Sequence, residues 1–165
     1  MNQFVVDYDP IIAAQSLCDK HVVKQTVEQF QMLGSALRRH GATDEQMPLT
    51  SKGTPLVGGY RNHPITKWVG ETQSNFNWAI QHGLGLAKEY THRYGKTHAC
   101  EAGIFLMSHM VYLIPNGELT DFGQAMPDEY KDEDPVVAYR RYYIEDKIQN
   151  IDCRWTNREK PEWLR

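Results

Sequence analysis

Residues that typically start or end helices divide most of the chain into helical segments. Asp9–Pro10 and Asp134–Pro135 each pair an N-cap side chain with a proline at the first helical position, where the missing N–H is not needed. Gly41 and Gly95 mark two helix ends. The only candidate strand, QFVV at residues 3–6, is short. These signals predict a mainly α protein.

Helical spacing of apolar residues continues between these signals. The predicted helices are residues 9–17, about 19–40, a short one from 64, 74–95, a buried one at 98–113, and 134 to about 150. Residues 41–63 are rich in Gly, Thr, Pro and Ser, which indicates a long surface loop of the kind that is often functional. We expect residues 1–165 to form a single domain, a bundle of about four to five helices with long connecting loops.

Composition excludes several classes of protein. The 165 residues include 41% apolar and 24% charged residues, which is ordinary for a soluble globular protein. No apolar run approaches the roughly 20 residues of a membrane span, and the N-terminus lacks the features of a signal peptide. Cys18, Cys100 and Cys153 lie far apart, which argues against a disulfide framework. These features predict a reduced, cytoplasmic monomer that does not act at membranes.

The charge distribution leaves room for a nucleic-acid partner despite the net charge of −3. The segment DEYKDED, residues 128–134, holds five acids and one lysine, so the rest of the chain carries a charge of +1. Basic residues gather at several places outside that segment, including the tail RWTNREKPEWLR. A DNA-facing surface is therefore compatible with the composition.

The stretch CDKHVVKQTVEQF, residues 18–30, gives the second helix two different sides. Counted at about 100° per residue from His21, one broad apolar face contains Val22, Thr26, Phe30, Leu33 and Leu37, with Val23 and Val27 just beyond. The opposite side, which we call the polar stripe, contains His21, Lys24, Glu28, Gln31 and Ser35.

Two interpretations of the polar stripe stay open at this point. Surface helices commonly have such a side, and Lys24 and Glu28 would then be a solvated i,i+4 pair that contributes about a few tenths of a kcal/mol. However, the stripe has few of the Glu/Lys repeats that usually fill such a side. It also places an imidazole, an amine and a carboxylate within reach of one another, as acid–base or amine chemistry requires. His21, Lys24 and Glu28 are therefore candidate catalytic residues.

Two other stretches contain groups that could bind a substrate. RNHP places Arg61, Asn62 and His63 at a loop-to-helix junction, where helix capping is the alternative role. EYTHRYGKTH gathers phosphate-capable groups, among them Tyr90 and Arg93, at a helix end where the helix dipole also favours cations.

Motifs for metals and cofactors are missing from the sequence. His92, His98 and Cys100 lack the i,i+4 or CxxC spacing of a metal site. The chain contains no P-loop, no GxGxxG and no GxSxG motif. We expect neither a metal nor a cofactor.

LCDKHVVKQTVEQF resembles the first helix of the phage pyrimidine-dimer DNA glycosylases of the endonuclease V type. That helix opens with Leu-x-Asp-x-His and carries a catalytic glutamate seven residues after the histidine; the matching positions are Leu17, Asp19, His21 and Glu28. PLVGGYRNHPITKW, followed by a helix that ends in EYTHRYGK, is similar to the family's Gly-rich loop before its second helix. The tail EKPEWLR, with Trp163, resembles the family's DNA-contacting C-terminal segment. The chain also looks like small tailed-phage proteins that carry CDKHVVK, NHP and RYGK.

The resemblance implies an all-α enzyme that acts on duplex DNA, in the cytoplasm of an infected host cell. In the family, an amine attacks C1′ of a damaged nucleotide, the base leaves, and the imine that forms allows the strand to be cut by β-elimination. The amine is the chain's own terminal α-amine, here that of Met1, or of Asn2 after processing. The reference pKa of such an amine is about 8, whereas that of a lysine is about 10.4.

Other assignments remain open on the sequence alone. Lys24 is a second eligible amine, one helical turn from Glu28. The same fold could act on a free nucleotide or nucleoside, which suits the acidic balance of the chain. A non-catalytic DNA-binding or host-interaction protein is the third possibility.

Overall fold

The computed structural model describes residues 2–165, a range with six α-helices. They are α1 (Pro10–Ser16), α2 (Asp19–Arg39), α3 (Pro64–Val69), α4 (Gln73–Tyr94), α5 (Glu101–Ser108) and α6 (Pro135–Tyr142). Short 3-10 turns lie at Val111–Leu113, Asp128–Tyr130 and Glu162–Leu164, and α6 continues into a π-helical turn at Tyr143–Lys147. Within the described range, β pairing is limited to one isolated bridge, between Leu49 and Pro55. The predicted mainly α fold is confirmed.

The predicted start and stop signals act as expected. The Asp9 carboxylate accepts hydrogen bonds from the first-turn amides of α1, and Asp134 caps α6 through Val136 N–H. Gly95 ends α4 in the left-handed conformation, with a φ of 71°, and Gly41 follows α2 with a φ of 91°. Local chemistry therefore determines these helix ends.

The core forms where α4 packs against α1 and α2. Gly83 of α4 faces Gln29 of α2 and Ile104 of α5, and a Cβ atom there would lie 3.0 Å from Gln29 Cγ and 3.3 Å from Ile104 Cδ1. A side chain at this position would require Gln29 and Ile104 to shift by a few tenths of an ångström. None of the helices between residues 2 and 165 combines the length and the apolar composition that crossing a membrane requires.

The loop of residues 41–63 covers part of the polar stripe. Ser35 Oγ donates a hydrogen bond of 2.7 Å to the Gly59 carbonyl. Gly58 has a φ of 93°, and a Cβ atom there would lie only 2.3 Å from Ser35 Oγ. The two ends of the polar stripe therefore differ: the loop buries the Ser35 end and leaves the His21 end uncovered.

Residues 3–6, the candidate strand, form an irregular buried segment instead. Phe4 has a φ of 46°, which is incompatible with a strand, and its ring packs against Tyr139, Tyr142 and Tyr143. The Val6 carbonyl accepts a hydrogen bond from Arg140 Nε. Val6 N–H bonds to the Phe4 carbonyl within the segment, and side-chain bonds from Arg140 to Val6 and from Gln29 to Gln3 hold the segment against α6 and α2.

Two predicted helices are shorter than expected. The stretch 98–113 contains only α5 and a 3-10 turn, and Phe105 and Leu106 are exposed, so the prediction of one buried helix was wrong. α5 packs one side, with Ile104 and Met107, against the core. The last helix ends at Lys147 rather than about Asn150, because its final turn widens to the π form. π turns of this kind are frequent at functional sites.

The predicted apolar face of α2 is correct at its centre and wrong at its edge. Val22, Thr26, Phe30, Leu33 and Leu37 are all buried. Val23 and Val27, which were expected just beyond them in the same face, are instead 37% and 41% exposed. The packed face is narrower than the sequence pattern suggests.

Candidate active site

A cavity of about 360 Å³ opens beside the N-terminal half of α2. Four parts of the chain build it: the N-terminal segment, α2, the start of α3, and residues from the C-terminal third. Its lining consists of Asn2, Phe4, His21, Lys24, Gln25, Glu28, His63, Pro64, Gln124, Ala125, Met126, Tyr142 and Lys147. His21, Lys24 and Glu28, the candidate catalytic residues of the polar stripe, therefore all contribute to the lining of one cavity.

The first described residue lies against the cavity's carboxylate. Asn2 N–H donates a hydrogen bond of 3.2 Å to Glu28 Oε2. Asn2 is itself buried, and its side chain donates to the Ala125 carbonyl at 2.8 Å and accepts from Gln3 N–H at 2.9 Å. These bonds hold the backbone of residue 2 at Glu28. Met1, the candidate source of the amine, lies outside the described residues.

Glu28 links two nitrogen-bearing groups. While Oε2 accepts from Asn2, Oε1 lies 3.6 Å from Lys24 Nζ in the predicted i,i+4 pair. The Glu28 side chain is only 14% exposed, whereas that of Lys24 is 70% exposed. The pair is therefore asymmetric: the carboxylate sits inside the cavity wall and the ammonium extends into water.

His21 is a neutral imidazole in this site. Its Nδ1 lies 2.6 Å from the Tyr143 hydroxyl, and its ring packs beside the Phe4 ring at 5.3 Å between centroids. Burial, together with the positive charges of Lys147 and Lys24, lowers the pKa of His21 to about 4. The ring is therefore uncharged at neutral pH.

His63 both caps α3 and lines the cavity, so the two roles considered for RNHP coexist. Its Nδ1 accepts a hydrogen bond from Ile65 N–H, and burial lowers its pKa. Arg61 and Asn62 are exposed and are not part of the lining; both are tied to Arg39, whose guanidinium donates to the Arg61 carbonyl and to Asn62 Oδ1. They precede a lining residue without lining the cavity themselves.

Three other residues predicted to bind substrate lie outside this cavity. Arg93 is buried, and its guanidinium is held by Asp19 Oδ1 and Glu89 Oε1, each at 2.9 Å. Tyr90 packs edge-on against His98. Trp163 stacks under the Arg140 guanidinium, 5.4 Å from the ring centroid. All three make packing or ion-pair contacts that stabilise the fold.

Sequence reasoning missed Gln25. This side chain lines the cavity, is 3% exposed, and its Oε1 has no hydrogen-bond partner among the described residues. The sequence did contain a signal for Gln25, because at about 100° per residue this side chain lies roughly 40° from His21 around the helix axis. A buried amide oxygen without a hydrogen-bond partner is unfavourable in the free protein.

It also missed the contribution of the C-terminal third. Tyr142 and Lys147 come from the end of α6 and its π turn, and Lys147 Nζ lies 5.0 Å from the Tyr142 ring centroid. No local pattern marks these residues as neighbours of α2, since their contact depends on the path of the chain.

The cavity has a distinct charge pattern. Within the described lining, Glu28 is the single carboxylate, against the ammonium groups of Lys24 and Lys147, and the lowered pKa values of His21 and His63 leave both rings uncharged at neutral pH. A shallower depression elsewhere has Asp132 and Glu133 in its lining. Only the first of these suits an anionic ligand.

The site combines a buried carboxylate beside the N-terminal segment, a neutral imidazole and two lysines in an all-helical protein. Proteins with such a site form a class that can perform amine or acid–base chemistry. Comparison with known families identifies it further: the model of the pyrimidine dimer DNA glycosylase family matches residues 1–102. The chain belongs to the pyrimidine dimer DNA glycosylase family, as the resemblance predicted. No curated protein and no solved structure matches the chain. His21, Lys24, Glu28 and His63 lie inside the matched region, whereas Tyr142 and Lys147 lie beyond it.

Proposed function

We propose that this protein is a DNA glycosylase that removes a damaged or modified pyrimidine from duplex DNA, with Glu28 as its catalytic carboxylate. One observation carries the proposal: the backbone nitrogen of Asn2 lies 3.2 Å from Glu28 Oε2 in the wall of a cavity. Membership of the pyrimidine dimer DNA glycosylase family supports the substrate class.

The nucleophile in this proposal is the terminal α-amine. Removal of Met1 would turn the Asn2 nitrogen into that amine at its present position. Retention of Met1 would place the amine on the residue before Asn2. An α-amine is neutral more often at pH 7 than a lysine is, because its reference pKa is about 8 rather than about 10.4. Lys24 is the alternative nucleophile, but its exposed ammonium lies in water beside a carboxylate, and nucleophilic lysines are typically desolvated.

Glycosidic cleavage then follows from these groups. The amine's lone pair forms a bond to C1′ while the bond from C1′ to the base breaks. The base leaves with the electron pair of the broken bond. The Glu28 carboxylate stabilises the positive charge that develops on the sugar, and accepts a proton from the attacking amine. The nitrogen lone pair then forms the C1′=N bond as the bond from C1′ to O4′ breaks, and O4′ takes the proton back from the Glu28 carboxyl, which leaves a protonated imine between the amine and C1′. Loss of a C2′ proton from this imine permits β-elimination of the 3′ phosphate.

The surroundings of the cavity suit a DNA backbone. Lys24 and Lys147 place two ammonium groups in its lining, and Arg61 lies exposed two residues before His63. Cations of this kind bind phosphates and release counterions, so affinity should fall steeply with salt. The acidic segment 128–134 is partly neutralised by ion pairs, of Asp128 with Lys131 and of Asp132 with Arg141.

Borohydride trapping tests this proposal. The purified protein is incubated with duplex DNA that carries either an abasic site or a pyrimidine dimer, reduced, and the adduct is mapped by mass spectrometry. We expect an adduct at residue 1 or 2. An adduct at Lys24 would support the side-chain amine instead. Absence of an adduct on both substrates, while a known lyase is trapped in parallel, would overturn the imine mechanism.

Binding measurements separate the remaining alternatives. A steep fall of duplex affinity with salt is expected of a DNA enzyme. Cleavage of free nucleosides or nucleotides without duplex binding would favour the nucleotide-directed enzyme. Salt-dependent binding without any turnover would favour a DNA-binding protein that is not an enzyme.

A further inference from the structure

A hydrogen-bonded series joins the start of α2 to the end of α6. Cys18 N–H lies 3.0 Å from the Tyr143 hydroxyl oxygen, which in turn lies 2.6 Å from His21 Nδ1. Tyr143 is completely buried, and its ring packs edge-on against the His21 ring at 5.1 Å between centroids. The hydroxyl therefore has two close partners, and both are fixed in place by the fold.

The direction of each hydrogen bond follows from the donor inventory. A backbone amide can only donate, so the Tyr143 oxygen accepts from Cys18. The phenolic hydrogen must then go to another acceptor. His21 Nδ1, 2.6 Å from the hydroxyl oxygen, is the strong acceptor within reach, whereas the Cys18 sulfur, which also interacts with the Tyr143 hydroxyl, is a weak one. Nδ1 therefore accepts, and in a neutral ring the hydrogen lies on Nε2.

We propose that Tyr143 is a positioning residue that holds His21 as the neutral Nε2–H tautomer, so that the imidazole presents a hydrogen-bond donor, not a base, to the cavity. The assignment of the hydrogen depends on the fold alone. Its use in the reaction rests on the proposed function: Nε2–H would donate to an oxygen of the target nucleotide, on its sugar or its base. Tyr143 lies beyond residues 1–102, the region that the family match covers.

The electrostatic surroundings agree with this arrangement. Burial raises the pKa of Tyr143 well above its ordinary value, so the hydroxyl keeps its hydrogen throughout the assay range. Burial and two nearby ammonium groups lower the pKa of His21 to about 4. Among residues 2–165, the titratable groups that share the cavity or a contact with His21 are Lys24 and Glu28 on α2, Tyr142 and Lys147 at the end of α6 and its π turn, His63 at α3, Cys18 and Tyr143. The pH dependence of His21 must be interpreted with all of them in place.

This assignment changes the role first expected for His21. Acid–base chemistry made His21 a candidate catalytic residue, but a nitrogen that already carries a hydrogen has no lone pair with which to accept a proton. A fixed N–H donor can still assist departure of a base or opening of a sugar, because it stabilises negative charge that develops on an oxygen. Because its partner comes from a distant helix, the tautomer is decided by tertiary structure.

Nitrogen NMR of the free, full-length protein tests the tautomer without any substrate. In protein labelled with ¹⁵N at histidine, we expect His21 to show the Nε2–H pattern at pH 7 and to remain neutral down to about pH 5. His82 serves as an internal control, because its Nδ1 donates to the Pro10 carbonyl and should show the opposite tautomer. An Nδ1–H pattern at His21, or protonation near its ordinary pKa, would overturn the proposal.

Variants extend the test to the reaction. Tyr143→Phe should leave His21 in a mixture of tautomers and lower kcat with little change in KM. His21→Gln keeps a donor that has no basicity, so it should retain activity within about 10-fold, whereas His21→Ala should lose about 100-fold. Equal losses in both His21 variants, or an unchanged Nε2–H signal with full activity in Tyr143→Phe, would contradict the positioning role. If the wild-type protein cleaves no DNA, the proposed function fails, but the NMR result still decides the tautomer.

Discussion

The backbone nitrogen of Asn2 donates a hydrogen bond to Glu28 Oε2 across 3.2 Å, although 26 positions separate the two residues. This contact brings the N-terminal segment to the carboxylate that the sequence singled out on α2. The irregular, buried path of residues 3–6 makes it possible, because the segment is anchored by Gln3 to α2 and by Val6 to α6.

Glu28→Gln should abolish most base excision while leaving DNA binding intact. The amide keeps the shape of the side chain but cannot stabilise the charged sugar or accept a proton, so we expect the excision rate to fall by at least about 100-fold. Single-turnover kinetics on dimer-containing duplex DNA measure this loss. Glu45→Gln, at an exposed position, is the matched control and should keep full activity. Wild-type rates in Glu28→Gln would remove this residue from the mechanism.

Extending the N-terminus by Gly-Ser between Met1 and Asn2 should prevent imine formation. The extension moves the amine away from Glu28, and a displacement of reacting groups by about 1 Å can lower a rate about 100-fold. The yield of borohydride-trapped adduct measures the effect. The same two residues added after Arg165 should have no influence. Undiminished trapping in the extended variant would shift the nucleophile to a side chain such as Lys24.

Gln25→Met should separate stability from activity. The Gln25 carbonyl oxygen is buried without a partner in the described part of the chain, so replacing the amide should leave the free energy of unfolding unchanged or raise it by about 1 kcal/mol. Activity should fall, because the cavity loses a polar group that a nucleotide can bind. The matched control is Gln29→Met. Gln29 Nε2 donates to Gln3 Oε1 and the Ala79 carbonyl, so this variant should lose about 1–3 kcal/mol. Urea denaturation would contradict the prediction if Gln25→Met proved the less stable.

Arg93→Met should destabilise the fold strongly. The guanidinium is buried between Asp19 and Glu89, and its removal leaves both carboxylates short of a partner. Breaking a buried pair of this kind costs about 3–5 kcal/mol. Arg154→Met removes a guanidinium from the exposed pair with Asp152 and should cost less than about 1 kcal/mol. Equal losses in urea denaturation would show that Arg93 is not a structural residue.

His82 should make the protein less stable in mild acid. Its ring is completely buried, and burial lowers its pKa to about 4, from an ordinary value near 6.5. Between these values the unfolded chain binds a proton that the folded protein does not, so stability is lost as the pH falls from about 6.5 to about 4. This difference amounts to about 3 kcal/mol.

The test compares the wild type with His82→Gln, whose side chain does not titrate. Unfolding free energies of both proteins are measured from pH 7.5 to pH 4. The wild type should lose more stability over this range than the variant does, although His21 contributes in the same direction in both. Parallel curves would mean that His82 titrates normally or is already charged in the folded protein.

The sequence by itself determined several helix ends and the chemistry of one side of α2. Asp9, Asp134 and Gly95 act on their own neighbours, so the helix ends that they produce are visible without any tertiary contact. The spacing of His21, Lys24 and Glu28 likewise follows from helix geometry. These residues also carried the resemblance to the glycosylase family.

Tertiary structure decided what surrounds that helix side. Asn2, Tyr142, Tyr143 and Lys147 reach α2 only because the chain returns to it from both ends, and no spacing in the sequence encodes such a return. Burial also separated residues of the same type: Arg93 forms buried ion pairs, whereas Arg61 stays in solvent. The protonation of His21 belongs to this second group, since a hydroxyl 122 positions away and the exclusion of water set it.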